Sequence, residues 1–276
     1  MTVAGSWFTI GSAHVAEGSP CQDYALAEGA YAVVADGCSS SPLTDVGARI
    51  LAHTAYSVYS RPDIEQDWLS VHQAWRISGE ALTIARGLRI EEEALDVSLG
   101  VVKHSPSGIM SAVLFGDGVI AYRYRGDLYA VVMDWAGNMP GYMSYDHTGI
   151  RRNQFLSQSE NFAEAENRTA CEVKTWRLSP GGPTLRDTQY LDAPEGLRGY
   201  PIQFSASVDL AAACSDGVTQ ISGVPWHDAV VTLMDFRGPL IGEFVKRRMR
   251  AALKTWALDG HAPVDDIAMA AVYRGG

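Results

Sequence analysis

Strand-like and helix-like segments arrive in this chain as blocks, and that grouping limits the folds it can reach. Residues 6–11 and 31–35 read as early strands. Two helical patterns follow. One opens at Ser41-Pro42, with Leu43, Val46, Ile50, Thr54 and Val58 at helical spacing, since proline suits a first helical position. The other covers about 64–87, with Trp68, Val71, Trp75, Leu82 and Ala85 on one face. Strand patterns resume at 95–103, 111–116, 119–124 and 128–133, the last two joined by Arg125-Gly126-Asp127 as a hairpin. A strand at 208–214, helices at about 225–236 and 239–257 and a strand at 266–273 close the sequence. Leu240, Phe244, Val245, Met249, Leu253 and Trp256 give the last helix its apolar stripe. The one-to-one alternation of strand and helix that builds a parallel sheet is missing. The pattern predicts an α+β fold, a layered sandwich of antiparallel sheets with helices outside.

With 276 residues, 47% of them hydrophobic, the chain can bury a large core, and no linker-like composition divides it. The expected organisation is one domain over 1–276, with a loop-rich insertion at about 136–203, rich in Gly, Pro, Asn and Ser. Ala170 to Leu178 is a possible strand inside it. A segment of this kind is a candidate cover for a substrate site.

The net charge of −10, from 22 basic and 32 acidic residues, argues against nucleic-acid binding. Lys246-Arg247-Arg248-Met249-Arg250 is a local exception, read as a solvated helix face, with a docking patch for an acidic partner as the lesser reading. No apolar run is long enough to span a membrane. Met-Thr-Val-Ala-Gly-Ser-Trp lacks the pattern of a signal peptide, so the expected location is cytoplasmic. Cys21, Cys38, Cys171 and Cys214 form no Cys-x-x-Cys pair, which disfavours zinc. They read as small packing residues, or, for the three near acidic motifs, as oxidant-sensitive thiols.

Acidic residues at the edges of apolar runs carry the chemistry. They stand in Gln22-Asp23, Val34-Ala-Asp36-Gly37, Phe115-Gly-Asp117-Gly118, Cys214-Ser-Asp216-Gly217 and Asp265-Asp266-Ile267. Any one Asp-Gly is an ordinary turn. Several, spread along the chain, suggest strands delivering carboxylates to one place, where they repel unless a cation holds them. Oxygen donors without a His or Cys pattern suit Mg²⁺ or Mn²⁺, and two such ions can activate water and clamp a phosphoryl group.

In this order the motifs resemble the metal-dependent PP2C-type (PPM) serine/threonine phosphatases, in particular their compact bacterial branch. Gly11-x-x-His14 with Gly18-x-Pro-Cys-Gln-Asp23 resembles the opening motif, and Val34-Ala-Asp36-Gly37 with Gly47-Ala-Arg49 the second. Ser98-Leu-Gly-Val-Val with Gly116-Asp117-Gly118, Ser215-Asp216-Gly217-Val218 and Asp265-Asp266-Ile267 resemble the rest. The resemblance implies a four-layer αββα sandwich with two central antiparallel sheets flanked by helix pairs. It implies a binuclear Mg²⁺/Mn²⁺ centre ligated by Asp23, Asp36, the Gly37 carbonyl, Asp216 and Asp265, with Asp117 at a weaker third ion. Metal-bound hydroxide would attack phosphoserine or phosphothreonine in a phosphorylated protein, opposing a Ser/Thr kinase.

Four positions depart from the family pattern. Gly18 stands where a phosphate-binding Arg is frequent, Cys38 where many eukaryotic members have His, Gln220 where an acid is usual, and Gln22 where Glu is usual. His14 is a candidate for support or substrate contact at the site, or an ordinary structural histidine. The alternative function is a catalytically weak or inactive domain that binds a phosphoprotein. An Asp-nucleophile phosphatase of the haloacid dehalogenase type needs a second Asp where Cys38 stands, and a calcium protein needs EF-hand spacing that is absent.

Overall fold

Period-two alternation sends successive residues of a strand into different neighbours, and here it stacks the chain into four layers. The computed structural model describes residues 2–61, 71–179 and 181–275. Seven strands form one sheet, with neighbours in the order β1 (Thr2–Thr9), β12 (Ile267–Arg274), β11 (Val208–Cys214), β6 (Gly118–Tyr124), β7 (Asp127–Trp135), β8 (Cys171–Ser179) and β9 (Gly182–Leu191). Five form the other, ordered β10 (Tyr200–Gln203), β5 (Met110–Phe115), β4 (Val97–His104), β3 (Tyr31–Gly37) and β2 (Asp23–Glu28). All pairings between these neighbours are antiparallel.

The alternation is visible in β3 and β11. Ala32 and Val34 join a core between the sheets that also holds Val102, Leu114, Ile120, Met133, Ala211, Ala213, Ala268 and Ala270. Val33 and Ala35 point the other way, onto α2 (Thr44–Tyr59) and α3 (Val71–Gly87), meeting Leu51, Ala55, Ile77 and Ala81. On the opposite side Leu210, Ala212, Met269 and Ala271 pack beneath α6 (Trp226–Met234) and α7 (Phe244–Leu258), against Leu233, Val245, Met249 and Trp256. Both helix pairs thus bury one face on a sheet, and the expected αββα sandwich is the observed architecture.

Three differences from the sequence reading have physical causes. The segment 136–203 is ordered into α4 (Gly149–Ala165), β8, β9, the short α5 (Ala193–Leu197) and β10. Its helix buries little beyond Phe155 and Ser159, and β9 is an edge strand with a largely exposed polar sequence, so neither has an apolar period to read. The buried stripe of α3 is Ala74, Ile77, Ala81 and Ala85, while Trp75 is 61% exposed. Residues 64–70 of that expected helix, including Trp68, lie outside the described residues. Finally, α2 starts at Thr44, after Leu43 in the left-handed region at φ 57°.

The basic run on α7 is held largely by the protein itself. Lys246 Nζ donates to Glu243 at 2.8 Å, Arg247 Nη2 to the carbonyls of Pro239 and Ile241 at 3.0 Å, and Arg248 Nε to that of Thr232 at 2.5 Å. Among the described residues no helix is long and apolar enough to cross a membrane.

Candidate metal centre

The carboxylates collect where the gap between the two sheets opens at one end. Asp23 and Asp36 face each other in register across β2 and β3. Asp36 shares the parity of Ala32 and Val34, so it leaves β3 on the inter-sheet side. Asp117 sits in the turn where the chain crosses from β5 in one sheet to β6 in the other. Asp216 follows β11, and Asp265 precedes β12. Asp36, Gly37, Asp117, Asp216 and Asp265 line one cleft of about 350 Å³, and Asp23, only 1% exposed, lies behind Asp36.

Close backbone approaches fix these turns. Gly116 adopts φ +76°, and a Cβ there would lie 2.3 Å from Ser98 Oγ. Ser98 uses the space by donating to Asp117 Oδ1 at 2.5 Å and accepting from the Asp117 N–H at 3.1 Å. Trp135 Nε1 donates to the Gly116 carbonyl at 2.8 Å, tying the same turn to the end of β7. At Gly217 a Cβ would lie 1.7 Å from the Asp266 carbonyl, so the turn carrying Asp216 packs directly on the backbone carrying Asp265 and Asp266. Gln220 Nε2 donates to Asp216 Oδ2 at 2.9 Å and reaches Asp265 Oδ2 at 3.5 Å.

Crowding reverses the ordinary acidity of these groups. Burial first, then the carboxylates of Asp23, Asp216 and Asp117, holds Asp36 well above the usual Asp range. Asp23 is raised mainly by burial, with Asp266 and Asp216 adding to it and hydrogen bonds from Ser215 and Asp36 opposing it. Burial and Asp216 push Asp117 up to about 7. Asp216 is raised as well, by burial and by Asp265. Asp23 and Asp36 lie opposite each other in register and are both buried, so the pair needs a proton or a cation to share the site. Asp23 Oδ2 is buried without a hydrogen-bond partner, and the described residues lining the cleft include no Lys or Arg. An all-oxygen, over-acidic set with an orphaned buried oxygen fits hard divalent cations.

His14 lies beside the cleft, outside its lining. It lies in α1 (Ser12–Glu17), 7% exposed, with Nδ1 2.9 Å from Asp266 Oδ2. Asp266 is 2% exposed and also accepts from the N–H of Gly11 at 2.7 Å and of Gln22 at 2.6 Å. The sequence reading chose Asp265 and passed over this neighbour. Asp266 shares the parity of Ala268 and Ala270, and that alternation marks it as an inward group. His14 and Asp266 therefore pin the segment leading into Asp23, and His14 is not among the residues lining the cleft. His14, Asp265 and Asp266 also offer ligand atoms within 4.8 Å of one another.

Apart from Cys38, the sequence reading missed the cleft walls, which are built from two segments, 38–40 with Ser39 and Ser40, and 138–142 with Asn138, Pro140 and Tyr142. Cys38 Sγ lies 3.1 Å from Ser40 Oγ. Cys171 and Cys214 are buried, and Cys21 is raised by burial and by Asp266 and Asp23. Cys214 is pushed up to about 12 by burial, so these three thiols are poor targets for oxidants.

Residues 10–181 match the sequence family described as Protein phosphatase 2C. No curated protein matches the chain by sequence. Among solved structures, the PPM Ser-Thr phosphatase MsPP from Mycobacterium smegmatis, in complex with cacodylate, aligns over 99% of this chain and 98% of its own, with a TM-score of 0.56 and 14% identity. The serine/threonine phosphatase PstP/Ppp of Mycobacterium tuberculosis aligns over 100% and 99%, with a TM-score of 0.54 and 13% identity. The catalytic domain of PstP in complex with two manganese ions aligns over 99% and 97%, with a TM-score of 0.53 and 14% identity. At these identities the likeness establishes a shared fold.

Proposed function

The chain belongs to the protein phosphatase 2C family, and from that premise we propose that it hydrolyses phosphoserine and phosphothreonine in proteins at the acidic cleft, using Mg²⁺ or Mn²⁺. One observation carries the reading: carboxylates from both sheets meet at one sandwich end, too acidic for a metal-free site and without a basic residue in the lining. The manganese pair reported with the PstP catalytic domain supports the choice of ion.

On this reading Asp23, Asp36, Asp216, Asp265 and the Gly37 carbonyl would hold the cations, and Asp117 would hold a weaker further one. When bound, such cations would supply charge against the phosphoryl oxygens and lower the pKa of a coordinated water. The rest falls to the chain's own residues. Ser98, Gln220 and the Gly217 turn hold the carboxylates in place before any substrate arrives. Asp266 and His14 keep the strand entry at Asp23 fixed. With Gly18 and Cys38 at the departing positions, Ser39, Ser40 and Tyr142 are the hydroxyl-bearing residues of the walls that could donate to a substrate phosphate.

Gly18, where the family frequently has a phosphate-binding Arg, favours a second reading, a phosphoprotein-binding domain with little turnover. Purified protein is assayed on a phosphothreonine peptide with EDTA, Mg²⁺ or Mn²⁺, alongside Asp36→Asn and Asp216→Asn. Metal-dependent phosphate release lost in both variants supports the enzyme. Wild-type-like activity in either variant refutes the site. No release under any metal by folded protein that binds Mn²⁺ favours the second reading. The physiological partner on the enzyme reading is the phosphorylated substrate of a Ser/Thr kinase.

A further inference from the structure

The two cleft walls are fastened to a single buried carboxylate outside the acidic cluster. Asp96, which precedes β4, is 4% exposed. From the first wall, Ser41 Oγ donates to its Oδ2 at 2.8 Å, and the Cys38 N–H donates to its carbonyl at 2.9 Å. From the second wall, Ser144 Oγ donates to Oδ1 at 2.6 Å. Arg151, in the first turn of α4, brings Nη2 to Oδ1 and Oδ2 at 2.7 and 2.8 Å.

Arg151 also connects this carboxylate to the cleft surface. Its guanidinium lies 5.1 Å from the centroid of the Tyr145 ring. Tyr145 packs against Phe155 at 4.9 Å and Tyr142 at 5.3 Å between centroids, and Tyr142 lines the cleft. Among the described residues the remaining acid paired with Arg151 is Glu92, at 3.8 Å, and Arg151 Nη1 is buried without a hydrogen-bond partner. Asp96 is thus the main anchor of this side chain.

We propose that Asp96 and Arg151 form a clasp that sets the spacing of the cleft walls and seats Tyr142, so that both are positioning residues for a phosphorylated polypeptide segment. A small phosphate ester needs the acidic floor alone, whereas a peptide must lie between the walls. The kinetic part rests on the phosphatase reading; the wall spacing does not, and Cys38 reports it directly, because its backbone is tied to Asp96.

The test uses the full chain with Cys21→Ser, and compares Arg151→Met, Arg151→Lys and the double variant Asp96→Asn/Arg151→Met. The double variant leaves no unpaired buried charge if the single one fails to fold. Arg123→Met, which breaks the Arg123–Asp209 pair at 2.7 Å between β6 and β11, is the control for losing an ion pair elsewhere. Iodoacetamide labelling of native metal-free protein, followed at Cys38 by peptide mass spectrometry, is expected to be about tenfold faster in Arg151→Met and in the double variant, intermediate in Arg151→Lys, which keeps the charge but not the planar guanidinium on Tyr145, and near the parent rate in Arg123→Met. With Mn²⁺, KM for a phosphothreonine peptide is expected to rise about tenfold in Arg151→Met while kcat for p-nitrophenyl phosphate stays within about threefold. Unchanged Cys38 labelling in the double variant overturns the clasp, as does an equal loss on both substrates. If the parent hydrolyses neither substrate, the phosphatase reading fails and the labelling rate alone decides for or against the clasp.

Discussion

The protonation of Asp117 makes a quantitative prediction about the metal-free protein. Its carboxyl titrates near 7 in the fold against 3.8 as an isolated group, raised by burial and by Asp216. The folded state therefore binds a proton that the unfolded chain has released over about three pH units, each worth about 1.4 kcal/mol. The sign follows: this contribution is fully present below pH 3.8, falls as pH rises, and is lost above about 7. The whole amounts to about 4 kcal/mol, of which about 3 kcal/mol falls between pH 4.5 and 8. For 276 residues the unfolding entropy is about 0.6 kcal/mol/K, so the expected loss in Tm is about 5 °C. Other carboxylates titrate too, so the assay is a difference. EDTA-stripped parent and Asp117→Asn are melted at both pH values by circular dichroism, and the parent is expected to lose about 5 °C more. Mn²⁺ at pH 8 is expected to return a similar amount, since about 100-fold excess over Kd contributes about 2.7 kcal/mol per site. Equal pH shifts in parent and variant refute the protonation argument.

Further expectations concern the frame of the site. Gly217→Ala places a Cβ 1.7 Å from the Asp266 carbonyl, so it is expected to cost about 2 kcal/mol or more in urea unfolding and to weaken Mn²⁺ binding in calorimetry; parent-like values for both refute the close approach. Trp135→Phe removes the donor to the Gly116 carbonyl at 2.8 Å and is expected to cost about 1–3 kcal/mol, which an unchanged unfolding midpoint contradicts. In native protein at pH 7.5, Cys214, 3% exposed, is expected to resist iodoacetamide while Cys38 reacts, and equal labelling of the two refutes that assignment. Amide exchange at Gly37 and Ser215 is expected to slow together on adding Mn²⁺, one amide at each sheet's acidic end; slowing at only one excludes a cation shared between the sheets.

Apolar runs between turn residues located most strands. The register 208–214 matches β11 fully, because Leu210-Ala-Ala-Ala-Cys is buried on both faces and its run ends at Ser215. Elements without such runs were silent. In β9, Leu185 and Tyr190 are the exposed apolar side chains of an edge strand, and α4 spends most of its surface on solvent. The α3 stripe was misread because its buried face is built largely from alanines, which yield to tryptophan in any count of hydrophobic weight. At the site, the Asp-Gly turns were legible because each follows or precedes a buried strand. Asp96 was not, since Glu91, Glu92 and Glu93 before it look like a solvated acidic run. Nothing local distinguishes the carboxylate that accepts from Ser41, Ser144 and Arg151, residues up to 55 positions away.

The placement of the acids explains why one end of a sandwich becomes a site at all. Along the rest of the gap the sheets meet through apolar side chains, large ones such as Leu114, Ile120 and Met133 beside a close approach at Gly100, where a Cβ would lie 2.9 Å from that of Ala213. There the sheets are joined by burial alone. At the acidic end Asp23 and Asp36 come from the five-stranded sheet, Asp216 and Asp265 flank strands of the seven-stranded sheet, and Asp117 lies on the crossing between them. Without a cation this end is a line of mutual repulsion, relieved by protons and in part by hydrogen bonds from Ser98 and Gln220. With cations it becomes a crosslink between layers. On the proposed reading, the charge that would serve a phosphoryl group is the same charge that closes the sandwich, so metal affinity, pH response and inter-sheet stability are expected to change together when any one of these carboxylates is replaced.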